Sequence, residues 1–126
     1  RVDRDPADAG VRFGLGIILA RAGRHEEAIA EFQRSRAAPG LRAAALYHAG
    51  LSFEAVGAHH LAEQTYRAAL QALEEDDRFN LNAVRYRLGR VAESVEDREA
   101  AAAYYNEIAV DDYAYRDVAE RLRRLD

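Results

Sequence analysis

The chain has 126 residues, one domain's worth of sequence, and its 18 basic residues (all Arg) against 22 acidic ones leave a net charge of −4. That balance argues against a globally basic nucleic-acid binder, and the absence of Cys excludes disulfides, thiolate metal sites and a cysteine nucleophile. No run approaches the roughly 18 consecutive apolar residues of a membrane span, so no membrane insertion is expected.

Taken along the chain, apolar residues recur at helical spacing. Leu15, Ile18, Leu19 and Ala22 trace one face; Leu46, Ala49, Gly50 and Phe53 a second; Leu61, Ala62, Ala69 and Leu70 contribute to a third. Alanine runs such as Ala43–Ala45 and Ala100–Ala103 favour helix, and no segment alternates apolar and polar residues between hairpin turns. Glu74 to Asp77 reads as a solvated acidic joint. Tyr113 to Leu125 reads as a last helix with Val118, Leu122 and Leu125 inward and Arg116, Arg121, Arg123 and Arg124 outside, and Asp111-Asp112 as its cap. The chain is therefore expected to be all-α, with helices of about 12 to 16 residues and short joints.

Aligning the chain with itself organises these helices. A shift of 34 residues carries Phe13 onto Tyr47, Gly16 onto Gly50, Gly23 onto Gly57, Ala28 onto Ala62 and Phe32 onto Tyr66. A further shift of 39 carries Tyr47 onto Tyr86, Gly50 onto Gly89, Ala62 onto Ala101 and Tyr66 onto Tyr105. Each unit is expected to be two antiparallel helices, A then B. Gly23 and Gly57 sit at the joining turn, where positive φ is useful; Glu96 replaces that glycine in the third unit, with Asp97 as N-cap of the following helix. Gly16, Gly50 and Gly89 fall inside helix A, where glycine costs about 1 kcal/mol relative to alanine, so a close helix–helix approach is expected against Ala28, Ala62 and Ala101.

These residues resemble a tetratricopeptide repeat array. Leu15-Gly16, Leu19, Ala28 and Phe32 fit the family pattern in the first repeat, with Ser35 in place of its second alanine; Gly50, Phe53, Ala62, Tyr66 and Ala69 fit in the second; Leu88-Gly89, Ala101 and Tyr105 fit in the third, with Ala92 and Ile108 as departures. The aromatic expected earlier in helix A is replaced by Arg12, Leu46 and Arg85. The resemblance implies a right-handed superhelical α-solenoid of antiparallel hairpins. In that frame residues 1–8 are the tail of a preceding repeat, 9–42, 43–76 and 82–115 are repeats, 77–81 is an insertion and 116–126 a capping helix, with the array extending upstream.

The resemblance also implies that chosen positions of each helix A line a concave groove. They are Phe13, Ile17, Ala20 and Arg21; Tyr47, Leu51, Glu54 and Ala55; and Tyr86, Arg90, Glu93 and Ser94. Phe13, Tyr47 and Tyr86 would be a ladder of ring anchors, Ile17 and Leu51 would add aliphatic area, and Arg21, Glu54, Arg90 and Glu93 would set charge register for a bound peptide. Other members use a Lys and Asn carboxylate clamp on C-terminal Glu-Glu-Val-Asp tails. Phe13, Ile17, Tyr47 and Leu51 occupy the matching places, so such a tail is not expected to bind.

Catalytic patterns are weak. His25, His48, His59 and His60 include no pair at the spacing that places two imidazoles on one helix face. His25 and His59 read as packing residues, with His59 and Glu63 an ordinary helix pair. Gly14-Leu15-Gly16 lacks the strand, the third glycine and the lysine of a phosphate loop. Arg78, Arg85, Arg87 and Arg90 read as a solvated face rather than an RNA reader. The function expected is a non-enzymatic interaction scaffold for a protein or peptide, without cofactor, metal or nucleic acid and cytoplasmic. The alternative is a self-assembly or intramolecular docking module of a larger protein.

Overall fold

A computed structural model describes residues 6–73 and 77–126; the expectations for residues 1–5 and for the acidic residues 74–76 lie outside them. The regular structure is helical throughout, with no strand among the described residues. The chain divides into two units, residues 1–73 and 74–126. The first contains α1 (Pro6–Arg21), α2 (His25–Ser35), a 3-10 turn (Pro39–Leu41), α3 (Arg42–Ala55) and α4 (His59–Ala72). The second contains α5 (Arg78–Ser94), α6 (Arg98–Asp111) and α7 (Val118–Leu125). In the first unit α1 pairs with α2, α2 with α3 and α3 with α4; in the second α5 pairs with α6 and α6 with α7.

The three hairpin turns share one hydrogen-bond pattern. Gly23 and Arg24 donate to the carbonyls of Ala20 and Leu19 at 3.0 and 2.9 Å, Gly57 and Ala58 to Glu54 and Phe53 at 3.0 and 2.9 Å, Glu96 and Asp97 to Glu93 and Ala92 at 3.0 and 2.8 Å. This nested pair closes a helix when the next residue turns left-handed. Gly23 and Gly57 do so at φ +80° and +81°, and Glu96 adopts the same conformation at φ 61° without a glycine's freedom. Asp97 caps α6 as the sequence predicts, its carboxylate accepting from the Ala100 N–H at 3.1 Å.

The mid-helix glycines make room for rings. A Cβ on Gly16 would meet the Phe32 ring at 2.6 Å, and on Gly50 and Gly89 it would run into the Tyr66 and Tyr105 rings. The alanines expected as their partners, Ala28, Ala62 and Ala101, are fully buried, but the ring one turn further on is what fills the space under each glycine. Ser35, standing where the family pattern has alanine, is buried with its hydroxyl donating to the Phe32 carbonyl at 3.0 Å.

Several boundaries differ from the sequence reading. Helix α1 begins at Pro6, a residue suited to the first helical turn because its missing N–H would be unpaired there. Arg78 to Leu81, read as an insertion, form the first turn of α5, which runs 17 residues against 14 in α3. The last helix starts at Val118 rather than Tyr113, and Asp111 and Asp112 do not cap it. Asp112 accepts from the Ala114 N–H at 3.2 Å, and Asp111 accepts from the Asn82 side-chain amide at 2.9 Å, tying α6 to α5. Val118, Leu122 and Leu125 pack inward as predicted.

Candidate functional site

In the first unit several residues expected to line a groove, on α1 and α3, lie around a chain of rings. Phe13 lies 5.7 Å from Phe32 and 5.5 Å from His48, centroid to centroid; His48 lies 5.4 Å from Tyr47, and Tyr47 6.0 Å from Tyr66. Phe32 and Tyr66 are buried, whereas Phe13, Tyr47 and His48 are half-buried. Ile17, one turn beyond Phe13, packs against the cluster of Ala28, Phe32, Ala45 and Ala49 and stays half-buried; Leu51 is half-buried one turn beyond Tyr47. Arg21 is exposed at the end of α1. The edge-on contacts of His48 with both neighbours fix Phe13 and Tyr47. Burial pushes the His48 pKa below its ordinary value, so the ring stays neutral. Nothing in the periodic pattern marked His48, because Gly14 and Arg87 stand at its equivalents.

Glu54 does not stand free to set charge register: its carboxylate accepts from the Tyr66 hydroxyl. In the second unit Glu93 accepts from the Tyr105 hydroxyl at 2.6 Å in the same way, and also from Arg121 at 2.9 Å. The first repeat has Ala20 and Phe32 at these two places, so the carboxylate and the hydroxyl are lost together. Burial first, and then the bond to Glu93, hold the Tyr105 phenol well above its ordinary range.

Tyr86, the third expected anchor, is only 4% exposed. Residues 115–117 cover it. Tyr115 lies 6.2 Å away ring to ring, the Arg116 guanidinium sits 5.0 Å over its face, and its hydroxyl donates to Asp117 at 2.7 Å. That bond, with the Arg121 guanidinium 3.0 Å away, holds the Asp117 carboxyl below its usual range. Arg121 is thus not an outward-facing residue as expected but a tie between α5 and the start of α7. Arg90 is half-buried, and Arg85 donates to the Asn82 side chain at 3.2 Å.

Of the histidines outside the ring cluster, His59 has its Nδ1 buried without a hydrogen-bond partner among the described residues, and His60 is exposed. His25 Nδ1 lies 3.1 Å from the Ser52 hydroxyl. Glu63 pairs with His60 at 3.9 Å and with Arg67 at 3.1 Å rather than with His59. Among the described residues no group of three His, Asp or Glu side chains could hold a metal ion, and no helix is long and apolar enough to cross a membrane.

Helical hairpins with a left-handed turn, a glycine under a ring and a buried alanine, repeated three times, define a protein of tetratricopeptide-like fold. The solved structures agree. The first tetratricopeptide domain of Spaghetti (RPAP3), bound to the HSP90 peptide SRMEEVD, superimposes with a TM-score of 0.82 at 16% identity, over 99% of this chain and 95% of that one. No family model and no curated protein matches the sequence.

Proposed function

We propose that the chain is a non-enzymatic protein-interaction module that holds an extended or helical peptide against the ring-bearing faces of α1 and α3. The observation that carries this reading is the pair Phe13 and Tyr47: rings at equivalent places on successive A helices, half-buried, each fixed by contact with His48. An anchored ring with an accessible edge offers apolar area and loses little side-chain freedom on binding. Ile17 and Leu51 extend the apolar strip, and Arg21 places a charge at its rim. Arg90, at the repeat position of Ile17 and Leu51, carries charge in the second unit by itself, while Glu54 and Glu93 act by holding the buried tyrosines. The RPAP3 domain is described with an acidic-tailed peptide. The places where a Lys and Asn clamp would stand hold Phe13, Ile17, Tyr47 and Leu51 here, so a peptide with apolar anchors is the ligand class. A cytoplasmic setting accompanies this reading.

Peptides selected from a random library on the immobilised chain test the proposal, their affinities then being measured by fluorescence anisotropy. Replacing Phe13 and Tyr47 together by Ala is expected to weaken them about tenfold or more, with helicity unchanged by circular dichroism. Peptides that bind the folded double variant as tightly as wild type would remove this face as the site. Docking of the protein's own chain has one observation in its favour, the cover of residues 115–117 over Tyr86. Sedimentation separates the two readings. A dimer dissociated by Tyr47→Ala supports docking of a second copy, and a monomer at all concentrations removes it.

A further inference from the structure

Val11, Leu15 and Ile18 of α1 are 70%, 42% and 64% exposed. Their spacing places them on one helix face. The 34-residue repeat gives their equivalents in α3 as Ala45, Ala49 and Ser52, all three buried. Ala45 and Ala49 share a core cluster with Ala28 and Phe32 of α2, the second helix of the hairpin before α3. These are therefore the places at which an A helix receives the preceding B helix. In α1 they carry larger apolar residues that face water, whereas the terminal unit of a repeat array presents a polar outer face.

Two glycines point the same way. Gly16 answers to the Phe32 ring, but a Cβ on Gly10 or Gly14 would meet nothing within 4 Å. Glycine weakens a helix interior, and packing among the described residues gives neither residue a reason. Gly14 is the equivalent of His48, which touches the ring of Phe13 on the preceding A helix at 5.5 Å. A ring arriving at α1 in the same manner would find bare backbone there.

We propose that this face of α1 is covered by a further helical hairpin of the same type, formed by residues N-terminal to Arg1 in the same polypeptide. Its second helix presents a small residue and an aromatic one turn apart, as Ala28 and Phe32 of α2 do. Residues 36–41 suffice to lead α2 into α3, so a short link in the same chain is enough to seat it. A second copy fits less well. Two α1 faces alone would bury much less than the ~800 Å² per partner of a stable interface. The outward side of α7, with Glu120, Arg123 and Arg124 exposed, offers no apolar match either.

The chain contains no cysteine, so Val11→Cys and Ile18→Cys each install one reporter at an exposed site. Thiol-labelling rates at these positions are compared, by mass spectrometry, between the 126-residue chain and the full-length polypeptide encoded by its gene. Labelling at both positions is expected to slow about tenfold or more in the full-length protein. The 126-residue chain is expected to sediment as a monomer and to label like an open thiol. Equal rates in the two proteins overturn the proposal, as does a gene with only the initiating methionine before Arg1. Protection of the 126-residue chain that grows with its concentration also overturns it, by assigning the face to a second copy. The two positions check each other should one substitution disturb α1, and neither result depends on whether Phe13 and Tyr47 bind a peptide.

Discussion

Glu96 holds the left-handed turn between α5 and α6 at φ 61°, doing with a side chain what Gly23 and Gly57 do without one. That conformation costs an L-residue about 1 kcal/mol, so Glu96→Gly is expected to stabilise the protein by about that amount, read as a higher urea midpoint at unchanged slope. The reverse holds under the rings. Gly50→Ala drives a methyl into the fully buried Tyr66 ring and is expected to destabilise by about 1 to 3 kcal/mol despite alanine's better helix propensity. Gly14→Ala enters open space and is expected to stabilise by up to about 1 kcal/mol in the same denaturation experiment. The positions of these glycines were legible in the sequence, since three of them recur in register. Which residue lay beneath them was not, because an alanine and a ring one turn apart share a helix face and only packing chooses between them.

Between paired helices, the bond from Tyr66 to Glu54 and its counterpart from Tyr105 to Glu93 join α4 to α3 and α6 to α5. A double-mutant cycle with Tyr66→Phe and Glu54→Gln is expected to give a coupling of about 1.5 to 3 kcal/mol, the range of hydrogen bonds to a charged acceptor; a coupling near zero would make the contact incidental. The pairing left a trace that could have been read: Glu and Tyr occur together in two repeats, Ala20 and Phe32 in the first. His48, by contrast, was invisible in the repeat, and its role comes from the crossing of α1 and α3. Its folded pKa lies below 6.5 because burial disfavours the cation. As pH falls the unfolded chain takes the proton first. The stability that neutral His48 contributes is therefore complete above about pH 6.5 and is lost as pH falls through the lower folded value. Melting temperatures at pH 7.5 and 5.5 are expected to differ more for wild type than for His48→Phe, which keeps a ring that cannot titrate.

At the scale of the molecule, hairpins whose two helices are close in sequence are written in local patterns, which is why the turns and core positions could be read from one sequence. Which of the expected groove rings stay accessible was less legible. Tyr86 shares its repeat position with Phe13 and Tyr47, yet it is covered by residues 115–117, whose path depends on Arg116 adopting φ 42° and on Asp117 accepting the Tyr86 hydroxyl. An N-terminal capping signal and an apolar stripe fix a helix, but no period marks such a turn. Under the proposed reading, ligand choice is set by chemistry at single positions rather than by the fold shared with the RPAP3 domain. A peptide ending in two acidic residues, a valine and an aspartate needs cationic or amide donors close to its carboxylates, because a charge brought against apolar rings without partners loses its hydration uncompensated. Phe13, Ile17, Tyr47 and Leu51 offer none, and the chain's net charge of −4 adds repulsion that low salt strengthens. Isothermal calorimetry with SRMEEVD is therefore expected to give no saturable signal beyond that of its scrambled form, at low or at moderate salt. Tight binding that weakens as salt rises would show that arginines outside these four positions form a clamp, and would move the peptide site away from the rings of α1 and α3.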